Sequence, residues 1–290
     1  MTAREIIADP HHHLWDLGGS IHYPWLMDQP LDDFVGSHPN LIKNYLLPEY
    51  RTDAGEFELV KSVHVEVMPS DPIAETAWLQ EQADTPGNDG FPHGIVASAD
   101  LLADDFVDLL EAHSRYPNFR GVRQILSWVS EPYMRDDKWR KNFRRLGDLG
   151  LSFDMQIDPE QMGDAAKLAS DYPDVQIILN HTGMPDITDD QSIEQWRLGM
   201  PLLASCENIA VKISGFFDSA WTVQNMRPFV LETIEFFGPA RCMFASDFPV
   251  DRLFWNFTEL WTAYFQITDE FSEDEKSKMF HRNAVICYRL

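Results

Sequence analysis

Cysteine is scarce in this chain of 290 residues, which contains only Cys206, Cys242 and Cys287. The three lie far apart without CxxC spacing, so neither a disulfide framework nor a cysteine metal site is expected. That usage indicates a reducing, cytoplasmic compartment. No apolar run reaches the length of a membrane span, and no basic leader with an apolar core precedes the first predicted strand. We therefore expect a soluble protein with no membrane partner.

Positive charge is also in short supply, with 23 Lys+Arg against 47 Asp+Glu and a formal net charge of -24. Such a surface repels phosphate backbones, so we expect a small-molecule substrate and no nucleic-acid partner. The chain also has no Gly-x-Ser-x-Gly elbow, no GxGxxG opening a helix and no Walker loop. These absences argue against a serine hydrolase of that type and against the common nucleotide-binding folds. Whether the chain forms a homo-oligomer is left open.

Short β-rich runs that alternate with amphipathic helical stretches are what the sequence does contain. Eight such units in a chain of this length predict an α/β protein, a distorted (β/α)₈ TIM barrel forming a single domain over residues 1–290. The predicted strands are Ile6–His13, Val60–Val67, Gly94–Ala99, Phe119–Ile125, Ser152–Ile157, Gln176–His181, Ile209–Ser214 and Cys242–Asp247. The predicted helices include Pro72–Ala83, Asp104–Ser114, Asp137–Leu149, Pro159–Tyr172, Gln191–Ser205 and a segment after Ser272.

A long insertion, residues 17–55, follows the first predicted strand and carries Trp25 and several prolines. Loops after barrel strands lie on the face where barrel enzymes build their active sites. We therefore expect this insertion to shape the substrate pocket.

The first strand ends in the run Asp9-Pro10-His11-His12-His13. Side chains two apart on a strand share a face, so we expect His11 and His13 to lie side by side with Asp9 behind them. Two adjacent imidazoles form half of a divalent-metal site or a pair of polar groups that face a lactone or carboxylate.

Reactive side chains end three more of the predicted strands. His181 and Asp247 each follow an apolar run, and Arg123 lies nearer the strand end than Arg120. Alternation also predicts that polar residues of the strands point into the barrel while apolar ones face the helices. The predicted inward set includes His64, Glu66, Asp154, Gln156 and Lys212, opposite an outward set of Val63, Val65 and Val67.

Taken together, these segments resemble the amidohydrolase superfamily, and within it the branch of sugar-acid lactonases and 2-pyrone-4,6-dicarboxylate lactonase. The resemblance runs from residue 9 to residue 289. Its matching pieces are Asp9-x-His11-x-His13-x-Trp15, Phe119-Arg120-Gly121-Val122-Arg123, Leu179-Asn180-His181-Thr182-Gly183, Phe244-Ala245-Ser246-Asp247-Phe248-Pro249, and Asn283-Ala284 followed by Tyr288-Arg289.

The resemblance implies that His11, His13, His181 and Asp247 occupy active-site positions. Many relatives carry a lysine at the end of a middle strand that becomes carboxylated and bridges two metals. The corresponding stretch here, Asp154–Asp158, has no lysine. We therefore expect one divalent ion, Zn²⁺, or no metal, with His11, His13, Glu66 and Asp247 as its ligands.

The resulting hypothesis is hydrolysis of a lactone, a cyclic ester of a sugar acid or related carboxylated ring. Asp247 would serve as general base and His181 would assist in catalysis. The residues expected to bind substrate are Arg123, Gln124, Gln156 and Lys212. The alternatives are metal-dependent decarboxylation of an aromatic or muconate-type acid, and a catalytically silent barrel that only binds a ligand.

Overall fold

The structure is a computed structural model that describes residues 4–28, 39–129, 131–216 and 220–290. Eight strands form one sheet in which each strand pairs in parallel with the next in chain order. They are β1 (Ile6–His12), β2 (Glu58–Val65), β3 (Gly94–Ser98), β4 (Phe119–Ile125), β5 (Ser152–Gln156), β6 (Gln176–Leu179), β7 (Ile209–Ile213) and β8 (Cys242–Phe244). The predicted eight-stranded α/β barrel is confirmed.

The sheet closes between its last and first strands just beyond the end of β8. The backbone N–H of Asp247 donates to the carbonyl of His11 over 2.8 Å, and the N–H of His13 donates to the carbonyl of Phe248 over 2.7 Å. The closure therefore brings the segment after β8 against the histidines that end β1.

Helices follow the strands and cover the outside of the barrel. They are α1 (Pro24–Met27), α2 (Leu47–Asp53), α3 (Pro72–Asp84), α4 (Phe106–His113), α5 (Asp137–Asp148), α6 (Met162–Asp171), α7 (Asp190–Ala204), α8 (Val223–Phe237), α9 (Phe257–Ile267), α10 (Glu273–Ser277) and α11 (Asn283–Tyr288). Short 3₁₀ turns lie at Pro39–Leu41, Tyr133–Arg135, Pro159–Gln161, His181–Gly183 and Asp251–Leu253, and a π-helical turn lies at Lys278–Arg282. Within the described ranges, no helix is long and apolar enough to cross a membrane.

Several helix starts follow directly from local sequence. The side chains of Asp71, Asp136 and Ser272 accept a hydrogen bond from a backbone N–H in the first turn of α3, α5 and α10. Such an N-cap contributes about 1 kcal/mol of helix stability because it satisfies a donor that the helix itself leaves unpaired. These caps end the preceding loops at defined residues and so set where each helix packs on the barrel.

The apolar residues of the strands divide into an outer and an inner set. The outer set packs against the helices, whereas a smaller inner cluster takes residues from six strands and from α11. This inner cluster contains Ala8, Val63, Val65, Val96, Ile178, Ala210, Met243, Ala284 and Tyr288. The prediction that Val63 and Val65 face the helices, with His64 inside, is therefore wrong. His64 instead lies against the carbonyl of Leu14, with Nε2 3.2 Å from that oxygen.

Most of the predicted insertion is described, except residues 29–38, which lie outside the described residues. Its α1 and α2 pack on the barrel through the buried side chains Leu26, Leu47 and Tyr50. Trp25 reaches the end of β2, where its indole Nε1 donates to the carbonyl of Val67 over 2.9 Å. The described part of the insertion therefore borders the carboxyl-terminal end of the barrel.

Candidate active site

A cavity lies at the carboxyl ends of the strands. Its lining combines polar groups from the strand ends with apolar side chains from the connecting loops. The lining residues are His13, Trp25, Glu66, Val67, Met68, Arg123, Ile125, Gln156, His181, Asp247 and Val250. Barrel enzymes place their active sites at this end, so this cavity is the candidate active site.

The histidines of β1 reach the cavity because the strand is irregular. The pairing of β1 with β2 shifts register between Asp9 and His12, so side chains on either side of the shift no longer alternate regularly. The expectation that Asp9 stands behind the histidines is wrong. Asp9 accepts hydrogen bonds from the Tyr50 hydroxyl at 2.8 Å and from the backbone N–H of Ser246 at 3.0 Å. It therefore ties α2 and the segment after β8 to β1 from the other side.

Asp247 lies three residues beyond β8, in a left-handed backbone conformation with φ of 55°. Its carboxylate Oδ1 is 3.1 Å from His13 Nε2 and 3.3 Å from His11 Nε2. Burial alone would raise the pKa of the Asp247 carboxyl, but the imidazoles of His181 and His13 outweigh burial and hold the pKa below its ordinary value. Asp247 is therefore ionised at neutral pH.

The geometry of His13 indicates where its protons lie. A backbone carbonyl can only accept, so His13 Nδ1 donates to the carbonyl of Val65 over 2.8 Å. The contact between His13 Nε2 and Asp247 then needs one further proton between the two groups. The hydrogen bond between the two side chains holds that proton.

His181 follows β6 and is also left-handed, with φ of 55°. Its Nδ1 lies 3.2 Å from the hydroxyl of Ser214. The ring packs so closely on Gly215 that a Cβ there would lie 2.4 Å from His181 Cβ, so only glycine fits. Burial lowers the pKa of His181 to about 4, even though Asp247 opposes this shift. His181 is therefore a neutral imidazole, which can both donate and accept a hydrogen bond.

Lys212 does not reach the cavity, contrary to the prediction that it binds substrate. It is completely buried and forms an ion pair with Asp154, one step deeper in the barrel. The hydroxyl of Tyr288 donates to Asp154 over 2.8 Å, and the Lys212 ammonium lies 5.2 Å above the Tyr288 ring. Lys212 Nζ is also 3.3 Å from His11 Nδ1. We call Lys212, Asp154 and Tyr288 the deep network.

The deep network orients His11. An ammonium group has no acceptor, so Lys212 donates to His11 Nδ1, and a neutral His11 carries its proton on Nε2. That nitrogen is buried and points to the Asp247 side of the barrel, although its 3.3 Å contact lacks the geometry of a hydrogen bond. Lys212 therefore acts on the site through His11.

Arg123 and Glu66 form the cavity wall opposite the histidines. Arg123 Nε donates to Glu66 Oε1 and its Nη2 to the Glu66 carbonyl, each over 2.6 Å. The other carboxylate oxygen of Glu66 accepts from the backbone N–H of Met68 over 2.6 Å. Glu66 thus has both oxygens occupied and lies apart from the histidines, so the structure does not bring it into the predicted metal-ligand group. Arg123 faces the cavity with its charge already paired.

The two glutamines that were expected to bind substrate lie on opposite faces of the barrel wall. Gln156 ends β5 and lines the cavity. Gln124 is turned outward, where its Oε1 accepts from the Trp139 indole over 2.8 Å and its Nε2 donates to Asp100 over 2.9 Å. The prediction for Gln124 is therefore wrong for this cavity, because strand alternation gives the inward position to its neighbour Arg123.

A divalent ion has one natural position among the described residues. His11, His181 and Asp247 each offer a ligand atom, and these atoms lie within 4.8 Å of one another. Two imidazole nitrogens and a carboxylate are the donors that Zn²⁺ prefers, and three protein ligands leave a position open for water or substrate. The residues present therefore fit a single ion once that ion has displaced the proton from His11 Nε2, with His181 rather than His13 or Glu66 completing the group.

Sequence reasoning missed Asp251, which is completely buried four residues after Asp247. Burial and the neighbouring charge of Asp247 raise the pKa of Asp251 well above its ordinary value, so it is a neutral acid. The sequence pattern that could have revealed it is the pair of acids Asp247 and Asp251, four positions apart beyond the last strand. Met68 lines the cavity beyond β2 and has a left-handed backbone conformation. No sequence pattern pointed to its role there.

Comparison with known proteins identifies a family model and several proteins that this chain resembles. The family model described as Amidohydrolase matches residues 8–290. A Sinorhizobium fredii protein, y4mH, is 44% identical, with 98% of each chain covered. The L-fucono-1,5-lactonase of Burkholderia ambifaria is 26% identical over 97% of this chain and 95% of its own.

Among solved structures, an amidohydrolase from Burkholderia multivorans with bound zinc has the same fold, with a TM-score of 0.84. It is 22% identical, and the match covers 98% of this chain and 99% of that one. The overall fold of this chain is therefore one already seen in a crystal structure.

Proposed function

Because the chain belongs to the amidohydrolase family, we propose that it hydrolyses the lactone of a sugar acid. The observation that carries this proposal is the ionised Asp247 carboxylate, 3.1 Å from His13 in a cavity that His181 also lines. Similarity to a relative named L-fucono-1,5-lactonase supports the choice of a cyclic ester.

In the proposed reaction, water attacks the lactone carbonyl and gives its proton to Asp247. Negative charge then develops on the former carbonyl oxygen, where a ring N–H of His181 stabilises it. When the tetrahedral intermediate collapses, the bond from carbon to ring oxygen breaks. The ring oxygen takes the proton back from Asp247, and the product is an open hydroxy acid.

The cavity wall indicates what the rest of the substrate looks like. Trp25, Val67, Met68 and Val250 supply an apolar side, and the Gln156 amide supplies a polar group opposite them. A ring with one apolar edge and several hydroxyls fits this division better than a fully polar or fully apolar ester. We therefore favour a lactone of a sugar acid that carries an alkyl substituent.

We further propose at most one divalent ion, held by His11, His181 and Asp247. When bound, such an ion would polarise the carbonyl and acidify water. A second ion on the inner side of His11 is disfavoured, because the Lys212 ammonium lies 3.3 Å from His11 Nδ1 and repels positive charge.

A pH-indicator assay with purified protein tests the proposal, using L-fucono-1,5-lactone, L-rhamnono-1,4-lactone and D-glucono-1,5-lactone above their spontaneous hydrolysis. We expect hydrolysis of at least one lactone and no carbon dioxide release from hydroxybenzoates. Metal analysis of the same preparation should give at most one equivalent per chain. The proposal fails if no lactone is hydrolysed by protein at micromolar concentration, with or without added Zn²⁺.

A further inference from the structure

Two glutamines on neighbouring strands differ in whether their side-chain amides are paired. Gln124, on the outer face of β4, accepts from the Trp139 indole through Oε1 and donates to Asp100 through Nε2. Gln156, the last residue of β5, lines the cavity, and its amide has no hydrogen bond within the described part of the chain. Yet Gln156 is only 3% exposed. Because buried polar groups in folded proteins nearly always have a partner, the unpaired amide of Gln156 indicates a ligand.

The backbone holds Gln156 firmly at the end of its strand. Its carbonyl accepts from the backbone N–H of Leu126 over 2.9 Å and from that of Ser127 over 3.2 Å. In the sheet Gln156 pairs with Ile125, an apolar residue that also lines the cavity. The amide therefore lies in a defined position beside an apolar neighbour. A hydrogen bond made there is strong because little water competes for it.

The other polar side chains of the cavity wall are already engaged. His13 and Glu66 have hydrogen bonds at both of their polar side-chain atoms. Arg123 uses Nε and Nη2 on Glu66, which leaves only the N–H donors of Nη1. The groups that act on the reacting carbonyl are occupied there in the proposed reaction. Gln156 is thus the neutral side chain left to recognise the rest of the substrate.

The chemistry of the amide selects the group that it binds. An amide donates through Nε2 and accepts through Oε1, and a hydroxyl group satisfies both atoms because it also donates and accepts. A carboxylate only accepts, and a hydrogen or methyl group does neither. Arg123 is the one Lys or Arg among the described cavity-lining residues, and its charge is paired with Glu66. No unpaired cation therefore awaits a carboxylate, and a hydroxyl is the group that fits Gln156.

We propose that Gln156 determines substrate specificity by binding one ring hydroxyl of the lactone. An analogue without that hydroxyl would leave the buried amide unpaired in the complex, and this penalty is the source of the selectivity. The inference rests on the proposed lactonase function. It adds the residue that distinguishes one lactone from another and the substrate group that this residue recognises.

The test combines changes in the substrate with changes in the protein. The parent substrate is whichever of L-fucono-1,5-lactone, L-rhamnono-1,4-lactone and D-glucono-1,5-lactone is hydrolysed fastest, and it is compared with its analogues that each lack one ring hydroxyl. We expect wild-type kcat/KM to fall by about tenfold or more for one analogue, mainly through KM, and by less for the others.

Gln156→Met keeps the length of the side chain and removes the amide. It should lower kcat/KM for the parent lactone by about tenfold and reduce the discrimination against the deoxy analogue to about twofold or less. Gln156→Asn keeps an amide but shortens its reach by one methylene, so it should lose the discrimination in the same way. This second variant retains a polar group at the strand end and serves if Gln156→Met does not fold.

Two other glutamines provide matched controls. Gln124→Met removes an amide from the outer face of the barrel wall, and Gln224→Met removes one from an exposed position of α8. Both variants should keep the wild-type ratio of kcat/KM between the parent lactone and the deoxy analogue.

Three results would overturn the role of Gln156 while leaving lactone hydrolysis standing. One is that the wild-type protein hydrolyses every deoxy analogue as well as the parent. Another is that the Gln156 variants keep the wild-type discrimination. The third is that they lower kcat for all lactones by one factor with KM unchanged, which would place the amide at the reacting carbonyl instead. If the wild-type protein hydrolyses none of the lactones, the proposed function and this inference fail together.

Discussion

Two buried ion pairs lie inside the same barrel and differ in what surrounds them. Lys212 and Asp154 are completely enclosed in the deep network, with Tyr288 completing it. Arg123 and Glu66 form the second pair, 2.6 Å apart, in the wall of the cavity at the strand ends. We call this second pair the rim pair.

The difference in depth corresponds to a difference in what each pair supports. Charges without access to water are costly unless fully paired, so the deep network ties its own members together and holds His11 in one orientation. The rim pair borders the cavity that Asp247, His13 and His181 also line, and it forms part of the cavity wall. The fixed deep network thus supports the position of the reactive groups at the strand ends.

The largest effect on stability is expected in the deep network. Lys212→Met should lower the free energy of unfolding by about 3–5 kcal/mol, because it leaves the Asp154 charge buried without a partner. Chemical denaturation measures the change. Lys167→Met, which removes an exposed pair with Asp171, is the matched control and should cost about 1 kcal/mol or less.

The double variant Lys212→Met/Asp154→Leu should recover much of the lost stability, since it removes both charges. Because His11 then loses the donor on Nδ1, kcat should stay low even where the fold has recovered. A loss below about 1 kcal/mol for Lys212→Met would show that the deep pair is not essential to the barrel.

At the rim, the largest effect is expected on rate rather than on stability. Asp247→Asn keeps the shape of the side chain but removes the proton acceptor, so kcat should fall by about 100-fold or more. Steady-state kinetics on the preferred lactone measure this change. Asp164→Asn, at a half-buried surface carboxylate paired with Arg135, serves as control. A folded Asp247→Asn enzyme with more than half the wild-type activity would remove Asp247 from the base role.

The rim pair should tolerate disruption better than the deep pair. Arg123→Met leaves Glu66 beside a cavity that water can enter, so we expect a loss of about 2 kcal/mol in the free energy of unfolding. Adding Glu66→Gln should restore part of it. Equal losses of unfolding free energy for Arg123→Met and Lys212→Met would show that the rim pair and the deep pair contribute alike to stability.

The fold could be predicted in detail from the sequence because its signals are local. Alternation and helix caps placed Phe119–Ile125 on its observed bounds and most other strands within two residues. The strands that carry His181 and Asp247 were predicted two and three residues too long. Both residues adopt left-handed backbone conformations that depend on contacts with other strands, and a periodic pattern contains no such information.

The types of residue in the candidate site could be predicted from the sequence, but the depth of each residue within the barrel could not. Alternation correctly turned Gln156 and Lys212 inward, yet it could not show that one borders the cavity and the other lies beneath His11. Depth depends on the register between neighbouring strands. That register includes the shift in β1 between Asp9 and His12, which no single-strand pattern reveals.

His113 differs from both pairs because it is buried without an ion-pair partner among the described residues. It ends α4, with Nδ1 2.9 Å from the hydroxyl of Thr76. Burial lowers the pKa of His113 to about 4. Between pH 6.5 and 4 the unfolded chain therefore binds a proton that the folded chain does not, so this residue makes stability fall as the pH falls through that window.

His113→Asn removes the titration while keeping a polar group near Thr76. The difference in unfolding free energy between wild type and variant should shift by roughly 2 kcal/mol between pH 7 and pH 4.5, in favour of the variant at the acidic end. Urea denaturation across that range measures it, and His22→Asn, at an exposed histidine, provides the control. A difference that stays constant with pH would mean that the pKa of His113 is the same in the folded and unfolded protein, so that burial does not lower it.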